Sequence, residues 1–525
     1  MSSPFTDVDA DVLVIGAGVA GCAIATAFSR QQKSVILVER SLKQPDRIVG
    51  ELLQPGGVQA LEKLGLESCL EGIDASLLRG FPPLWFCNKP DTGRSFHHSR
   101  FVAKLRDAVE REPNTRLVEA TASEILSDKR TGAVVGARCI GSDKVVYEFH
   151  AHLTVLANGP FSNFRSQFLP HQPITSQSRL WALALSDVDL PFPETAHAIE
   201  AISGTVSIYQ IATREARILI NIPHKVQRDL VIDPGAEDAK EGAVRSYIRA
   251  NILPAIPITL QQSLANALET GRLRSMPTKW MPSVMNQTPG LVVLGDALEM
   301  RNPVTGAGMM VALKDVLLLT RLFESVPLDD ADAVLGVLRS FHWKRKVHSA
   351  LLNIFAQAMY DIFVSERLEI IQGGYIRFIQ EGPRYFAEPA AILGGTMEDP
   401  FLALFYVFFI ALYSIWLHLR ASGLCVFPLR CSSASWCFGG LWASLSADPG
   451  GDEGMTAPEA AAEDTQRLCA ASADGHRGHH CVGHLCCTRR HPCPWLELCF
   501  RHSLGIVDGK DIRWVGTCVV DTAVV

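Results

Sequence analysis

The feature that most constrains this chain is the glycine-rich turn GAGVAG at residues 16–21, which directly follows the apolar run 12–15. A continuous apolar run is typical of a buried parallel strand, and the small residues after the turn have helical spacing. In such a strand–turn–helix unit, Gly16 permits the tight turn, Gly18 lets a pyrophosphate approach the backbone, and Gly21 permits close packing of helix on strand. The pattern predicts a dinucleotide site; the alternative is a turn that serves packing alone.

An acidic residue at the end of the next strand supports the dinucleotide site. Residues 35–38 form a second apolar run, and Glu39 ends it. A carboxylate at this place accepts hydrogen bonds from ribose hydroxyl groups and would repel a 2′-phosphate. We therefore expect an adenine dinucleotide without that phosphate, which argues against bound NADP at this site.

A second motif, LGDALEMRNPVTGAGMMVALKD, occupies residues 294–315. Asp296 follows an apolar strand and suits a ligand to the ribityl chain or the pyrophosphate of a flavin. The turn 305–308 opens into a helical pattern, so free N–H groups and the positive end of the helix dipole at Gly308 would face the N1–C2=O edge of the flavin ring. The two motifs together predict FAD, whereas an acid in a turn followed by an ordinary glycine cap is the alternative.

Length and periodicity predict several domains, because 525 residues exceed what one core normally holds. Strand-like patterns dominate the middle of the chain and helical patterns the part after residue 331. The expected fold class is α/β, a Rossmann-like FAD-binding domain with an inserted β-rich substrate domain and C-terminal membrane-associated helices. The expected boundaries are 1–164 and 291–330 for the FAD-binding domain, 165–290 for the substrate domain, 331–399 for a helical region, 400–419 for a membrane-embedded helix and 420–525 for an atypical tail.

Residues 400–419, PFLALFYVFFIALYSIWLHL, carry no formal charge. As a helix they would be roughly 30 Å long at about 1.5 Å per residue, which is the thickness of a hydrocarbon core. Aromatic side chains on all faces of a helix are difficult to bury in a small domain. We therefore expect a helix embedded in a membrane, either crossing it or lying in one leaflet; the alternative is a buried helix of a globular domain.

Composition limits the class of partner and the compartment. The net charge of -6, without a basic block, argues against a nucleic-acid binder. The first ten residues are polar and acidic and no apolar signal-peptide core follows them, so we expect the catalytic part to face the cytosol. Only four of the 14 cysteines precede residue 420, which fits a reducing compartment.

The tail after residue 420 is rich in Cys, His, Gly, Ala and Ser and has little periodicity. The stretch HHCVGHLCC at residues 479–487 contains zinc-type ligands but lacks two separated CxxC pairs, so we expect no metal site. We expect the tail to be disordered or to come from a shifted reading frame or a retained intron.

The two nucleotide motifs, with the acid at Glu39, resemble those of flavoprotein monooxygenases of the hydroxylase type. Longer stretches resemble the squalene epoxidase family more narrowly, and the resemblance runs from about residue 10 to residue 417. The tail has no counterpart in that family. The stretches that carry the resemblance are PDRIVGELLQPGG (45–57), GRSFHHSRF (93–101), LRSMP (273–277) and NIFAQAMY (353–360).

The resemblance implies which residues hold the cofactor. It places Glu39 and Arg40 at the adenosine end of FAD. It also implies that Arg47 and Arg100 contact the cofactor through guanidinium groups, which suit phosphate and carbonyl oxygens; by themselves, both arginines would be interpreted as surface charges. The expected cofactor-binding residues are Gly16, Gly18, Val19, Ala20, Gly21, Glu39, Arg40, Arg47, Arg100, Asp296, Gly308 and Met309.

The reaction that the resemblance implies is flavin-dependent epoxidation of an alkene. Reduced FAD reacts with O2 to give a C4a-hydroperoxide, which transfers its distal oxygen to squalene or a similar lipophilic alkene and forms 2,3-oxidosqualene. Electrons come from NADPH through a separate NADPH-cytochrome P450 reductase. The implied location is the endoplasmic reticulum membrane, where the enzyme takes its substrate from the bilayer for sterol biosynthesis.

Three departures from the family pattern concern residues expected to face the substrate. Phe81, the catalytic candidate, stands at the position of the family's functionally important tyrosine and lacks the phenol. The segment 82–91 is shorter than the family's, and Asn158 replaces the usual aspartate before Gly159. Two alternatives therefore stay open: a diverged paralog acting on another polyprenoid, and a flavin-binding protein without turnover.

Overall fold

The computed structural model describes residues 9–45, 47–81, 84–85, 92–201, 204–230, 237–364 and 369–422. The tail, including the stretch 479–487, lies outside the described residues. The strands are β1 (Ala10–Ile15), β2 (Val35–Glu39), β3 (Leu52–Leu53), β4 (Ser76–Leu78), β5 (Gly80–Phe81), β6 (Leu84–Trp85), β7 (Gly93–Ser95), β8 (Thr115–Ser127), β9 (Val134–Gly141), β10 (Val146–Leu156), β11 (Ser178–Ser186), β12 (His197–Ala201), β13 (Gly204–Ala212), β14 (Glu215–Pro223), β15 (Arg274–Pro277) and β16 (Leu291–Val293).

Helices cover the sheets and make up most of the described residues after β16. They are α1 (Val19–Arg30), α2 (Pro55–Leu64), α3 (His98–Glu110), α4 (Arg165–Phe168), α5 (His224–Leu230), α6 (Glu237–Tyr247), α7 (Ile258–Thr270), α8 (Gly308–Leu322), α9 (Ala331–Lys344), α10 (Lys346–Val364), α11 (Glu369–Gln380), α12 (Pro383–Leu393) and α13 (Pro400–Ser422). α9 to α12 lie within the segment 331–399 for which a helical region is predicted.

The first sheet has a parallel centre in the order β8–β2–β1–β10–β16. Its middle strands are fully covered on both faces: Val12, Leu13 and Val14 of β1 have no exposed surface. This burial explains why β1 is continuously apolar rather than alternating. β8 and β10 extend beyond the parallel part, where each pairs with β9 in antiparallel register. The predicted buried strands and the helix between the first two are confirmed.

The second sheet is antiparallel, in the order β12–β13–β14–β11–β15, and lies in the chain between β10 and β16. Alternate residues of β14 point to opposite faces. Ile218 and Ile220 pack into a core with Leu260 and Leu264 of α7. On the opposite face, Leu219 packs in a small cluster that also includes residues from β3 and β4 of the first part of the chain. The strand-rich middle segment is thus confirmed, whereas its exact domain boundaries stay a prediction.

α13 has one covered and one exposed face. Within the described residues, its segment Pro400–Ala421 is the helix both long and apolar enough to cross a membrane, with a mean hydropathy of 2.1. One face packs against α11, where a Cβ on Gly374 would lie 1.9 Å from Ser414 Oγ. The other face exposes large apolar side chains, among them Phe401 (82% exposed) and Phe405 (55% exposed).

Candidate functional site

The site lies where the two sequence motifs meet at one edge of the parallel sheet. β1, β10 and β16 run parallel, so their carboxyl ends share that edge. The residues that follow these three strands include Gly16, Asn158 and Asp296. The motifs are also in contact, because a Cβ on Gly295 would lie 3.3 Å from the Cβ of Ala20 in α1. In open parallel sheets this edge is where nucleotide cofactors bind.

The three glycines of the first motif have different structural roles. Gly16 has φ +105, and a Cβ there would lie 2.6 Å from the carbonyl oxygen of Ala157 in the neighbouring chain segment. A Cβ on Gly21 would lie 1.8 Å from the Gly16 carbonyl oxygen. Among the described atoms, none lies within 4 Å of a Cβ built on Gly18, which begins α1 as its N-cap. Gly16 and Gly21 therefore permit close packing, and Gly18 leaves open space at the helix N-terminus for a pyrophosphate.

Glu39 supports the turn itself. Its Oε2 accepts the Ala17 N–H at 2.8 Å, and its Oε1 accepts the Ser41 N–H at 3.3 Å. The guanidinium of Arg106, buried on α3, donates through Nε to the Ala17 carbonyl oxygen at 3.0 Å and lies 3.9 Å from Glu39. The backbone N–H and the carbonyl oxygen of Ala17 are thus both held by side chains. Sequence reasoning missed Arg106, because nothing in a helix sequence shows which arginine faces a distant turn.

The second motif is supported by Arg165, which was also missed. Its guanidinium donates to the carbonyl oxygens of Asp296 and Ala297, each at 2.8 Å. It also lies 3.4 Å from the carbonyl oxygens of Gly159 and Pro160. Arg165 therefore joins the loops that follow β10 and β16. Asp296 itself lies in a single 3-10 turn, Gly295–Ala297.

The N-terminus of α8 follows a turn that contains a glycine in the left-handed conformation. Gly306 has φ +62, which favours glycine, and α8 begins two residues later at Gly308. Gln54, at the start of α2, donates through Nε2 to the Thr305 carbonyl oxygen at 2.6 Å and so fixes this turn. In the described part of the chain, no side chain caps α8 and no heavy atom lies within 4 Å of a Cβ on Gly308. The helix end is available to a negatively charged group.

The residues present fit FAD. Gly18 and Gly308 leave open space at two helix N-termini. Two buried polar atoms nearby, Asn158 Oδ1 and Thr305 Oγ1, have no hydrogen-bond partner among the described residues. Buried polar groups normally have partners, so these atoms indicate a polar ligand at this edge. The cofactor roles of the individual residues stay a prediction.

The three arginines and the methionine that are predicted to contact the cofactor have different surroundings. Arg40 and Arg47 are exposed. Arg100 is 43% exposed at its side chain and donates to the Ile73 carbonyl oxygen at 3.2 Å, with Asp74 at 3.8 Å. Met309 packs half-buried against the main core, with its sulfur 3.8 Å from a Cβ on Gly50.

A cavity of about 430 Å³ opens between the two sheets. Its basic lining consists of Arg47, His97, His98, Arg217, Arg272 and Arg274.

Two histidines that line this cavity have structural partners. His98 donates through Nδ1 to the Gly50 carbonyl oxygen at 2.9 Å. Burial, followed by the nearby charge of Arg47, lowers the pKa of His98 to about 4, so its imidazole is neutral at pH 7. His97 donates through Nε2 to Glu215 at 2.8 Å. Both imidazoles are thus held in place by hydrogen bonds to other parts of the protein.

An ion pair joins the two halves of the site. Glu51, just before β3, binds Arg217 of β14 through two parallel bonds of 2.7 and 2.8 Å, and both residues are buried. The Glu51 carbonyl oxygen also accepts the Phe96 N–H at 2.9 Å. A paired guanidinium and carboxylate of this geometry fix the orientation of both side chains.

The predicted catalytic position can be described through its backbone. Phe81 ends the short strand β5, and the neighbouring Gly80 carbonyl oxygen accepts the Ala196 N–H at 2.8 Å. The position therefore lies beside the β-rich sheet. The Phe81 side chain, and residues 82–83 and 86–91 of the shortened segment, lie outside what the structure describes.

Comparison with known proteins gives two family matches. Residues 150–432 match the family described as squalene epoxidase, and residues 11–45 match the FAD binding domain. The chain is 44% identical over 448 residues to squalene epoxidase erg1 of Aspergillus fumigatus, covering 81% of this chain and 91% of that protein. It is 35% identical to squalene epoxidase erg1 of Schizosaccharomyces pombe, covering 80% and 94%. It is 33% identical to the squalene monooxygenase of Mus musculus, covering 77% and 71%.

Solved structures agree on the fold. A triple mutant of the flavin-dependent brominase Bmp2 aligns with a TM-score of 0.60 at 17% identity, covering 79% of this chain and 100% of that one. HpxO of Klebsiella pneumoniae, solved with FAD and uric acid, aligns with a TM-score of 0.57 at 17% identity, covering 73% and 97%. At such identities the likeness concerns the fold alone. The predicted α/β flavoprotein monooxygenase fold is confirmed.

Proposed function

Because the chain belongs to the squalene epoxidase family of FAD-dependent monooxygenases, we propose that it epoxidises squalene to 2,3-oxidosqualene. The observation that carries the proposal is the 44% identity to squalene epoxidase erg1, which extends over 91% of that protein. The meeting of both nucleotide motifs at one sheet edge supports it. Bound FAD, once reduced, supplies the activation of O2.

The chain's own residues bind and orient the cofactor. The N-terminus of α1 at Gly18 receives the pyrophosphate, and the N-terminus of α8 at Gly308 stabilises negative charge on the flavin ring. Asp296 holds the chain between these two ends. Arg106 and Arg165 keep the two turns in place through bonds to backbone oxygens. The remaining predicted contacts, at Glu39 and the arginines, belong to the same proposal.

The membrane is part of the proposed function. We infer that the exposed apolar face of α13 lies in the endoplasmic reticulum membrane, from which the enzyme takes its lipophilic substrate, with the catalytic part facing the cytosol. One face of α13 packs against α11, and the other exposes Phe405 and Leu412. Electrons reach the flavin from NADPH through a separate reductase.

Product analysis tests the reaction. Purified full-length protein is supplied with FAD, squalene, NADPH, NADPH-cytochrome P450 reductase and 18O2, and the lipid extract is examined by mass spectrometry. We expect 2,3-oxidosqualene that carries one 18O atom and is absent when the reductase is omitted. Protein that holds FAD and releases only H2O2 would contradict the proposal.

Vesicle binding tests the membrane face. We expect the double substitution Phe405→Glu and Leu412→Glu to reduce co-sedimentation with phospholipid vesicles by at least tenfold, because each charge costs about 2.5–3.5 kcal/mol inside a bilayer. Ile258→Glu is the matched control, since Ile258 is 82% exposed on α7. Equal binding of both variants would contradict the proposal.

Phe81 favours a second candidate, a diverged or inactive relative. The family's tyrosine at this position is a phenylalanine here. If a wild-type protein that binds FAD gives no oxidosqualene but Phe81→Tyr does, the protein is a decayed epoxidase. If neither gives that product, a lipid-extract screen with other polyprenoid alkenes tests for a changed substrate.

A further inference from the structure

The largest side chain that is fully buried in the described part of the chain belongs to Arg345, directly after α9. Its guanidinium binds Asp315 through Nε at 3.1 Å and through Nη2 at 2.8 Å. It binds both oxygens of Glu299, each at 3.1 Å, and Ser283 Oγ at 2.8 Å. One cation thus bridges two buried carboxylates.

One of the two carboxylates follows Asp296 closely, and the other lies in α8 beyond its N-terminus. Glu299 follows Asp296 by three residues, and its N–H donates to the Gly295 carbonyl oxygen at 3.0 Å. Asp315 lies in α8, two turns after Gly308. Arg345 therefore connects the turn that contains Asp296 to the body of α8, although it belongs to no strand of the nucleotide-binding sheet.

A second layer of donors completes the carboxylate contacts. Arg301 binds Glu299, and Asn353 of α10 donates to Glu299 Oε1 at 2.9 Å. His348 of α10 donates through Nε2 to Asp315 Oδ1 at 2.8 Å. Burial alone would raise the pKa of Glu299, but Arg345 and Arg301 outweigh it and hold that pKa below the usual range. Both carboxylates are therefore ionised at pH 7.

Burying charged groups costs desolvation free energy, so such a network contributes little net stability to a fold. Replacing a buried ion network by apolar side chains of similar volume is often neutral or stabilising. A bidentate guanidinium does what an apolar contact cannot, because it fixes the distance and direction between the groups that it binds. The two carboxylates that Arg345 binds belong to the segments that contain Asp296 and the α8 N-terminus. In the proposed site, these contact opposite parts of one cofactor.

We propose that Arg345 is a positioning residue for the flavin: by bridging Glu299 and Asp315, it fixes the spacing between Asp296 and the N-terminus of α8. This inference rests on the proposed FAD site. Arg345 has no contact with the cofactor in this role. Its effect is on the geometry of the turn and of the helix N-terminus that contact FAD.

The test compares Arg345→Lys with Arg339→Lys, a matched control on the exposed face of α9. Lysine keeps the charge but cannot bind two carboxylates bidentately. We expect Arg345→Lys to raise the Kd for FAD about 10- to 100-fold, equivalent to about 1.4–2.8 kcal/mol of binding free energy. We also expect a shifted visible absorption band of the bound flavin and more H2O2 released per NADPH. Arg339→Lys should leave all three unchanged.

Hydrogen–deuterium exchange of the cofactor-free protein gives a readout that does not depend on turnover. We expect faster exchange in residues 295–308 of Arg345→Lys, with the exchange of β1 and β11 unchanged. Wild-type FAD affinity, spectrum and exchange in Arg345→Lys would overturn the inference.

A milder variant covers the case in which Arg345→Lys does not fold. Ser283→Ala removes one bond to the guanidinium and leaves no buried charge unpaired. We expect it to weaken FAD binding two- to fivefold, and unchanged FAD affinity in it would also overturn the inference. Because FAD affinity is measured without squalene, failure of the proposed epoxidation leaves this result interpretable.

Discussion

At the scale of single residues, the candidate site depends on guanidinium groups that bind backbone oxygens rather than the cofactor. Arg106 holds the turn after β1, and Arg165 holds the turn after β16. A backbone carbonyl is present whatever the side chain, so these contacts do not depend on the side chains of the loop residues. The loops after parallel strands bind cofactors only if their N–H groups point in fixed directions.

Arg165→Gln tests this role. The amide is too short to reach the carbonyl oxygens of both Asp296 and Ala297, so we expect the Kd for FAD to rise about tenfold, equivalent to about 1.4 kcal/mol. Fluorescence quenching of added FAD measures it. Arg130→Gln, in an exposed turn, is the control. Equal affinity of the two variants would show that Arg165 does not shape the loop.

His98 makes stability depend on pH. Its pKa of about 4 in the folded protein lies below the unfolded value of 6.5, so the unfolded state takes up the proton first as pH falls. The stabilisation is complete above pH 6.5 and decreases between pH 6.5 and 4. We expect wild type to lose about 2 kcal/mol more than His98→Gln between pH 7 and pH 5. Urea unfolding at both pH values measures the difference, and parallel losses would contradict it.

At the scale of elements, the packing of α11 against α13 depends on a glycine. A Cβ on Gly374 would lie 1.9 Å from Ser414 Oγ and 2.5 Å from its Cα. The neighbouring Gly373 is exposed, and no described atom lies within 4 Å of a Cβ there. Alanine substitutions at the two glycines therefore distinguish the effect of helix packing from the effect of helix propensity.

We expect Gly374→Ala to lower stability by about 1–3 kcal/mol, because the methyl group must push α13 away. Gly373→Ala should be neutral or stabilising by up to about 1 kcal/mol, since alanine favours the helix. Thermal unfolding in detergent compares them. If both substitutions have the same effect, α11 and α13 do not pack as described.

The elements nearest the cofactor were the most predictable from sequence. β1, α1 and β2 follow one another closely in the chain, and α8 follows β16 after a short turn segment. Their apolar runs and glycines therefore lie within short stretches of sequence that predict these elements directly. The small strands β3, β4 and β7 escaped prediction because two or three residues show no periodicity. Arg106 and Arg345 escaped it for another reason. Their partners are distant in the chain, and a helix sequence does not show which buried turn an arginine faces.

At the scale of the whole molecule, Glu51 and Arg217 connect the nucleotide-binding part to the β-rich sheet. Glu51→Gln leaves the buried Arg217 without a charged partner, and we expect it to lower stability by about 3–5 kcal/mol. The double substitution Glu51→Leu with Arg217→Met removes both charges and should recover most of that loss. Urea unfolding of both variants and wild type measures the coupling. A double variant that is no more stable than Glu51→Gln would contradict this prediction.

The insertion of the β-rich sheet between β10 and β16 has a consequence for biosynthesis. Thr154 pairs with Leu291, so the parallel sheet cannot be completed until the whole insertion has left the ribosome. Pairing across so long a segment is slow, since the chain must be closed into a loop before the contact forms. Asp296 and the start of α8 come after that pairing. The newborn chain therefore keeps one edge of β10 unpaired until β16 has been made, and the turn at Asp296 and the N-terminus of α8 can take their places only after that pairing.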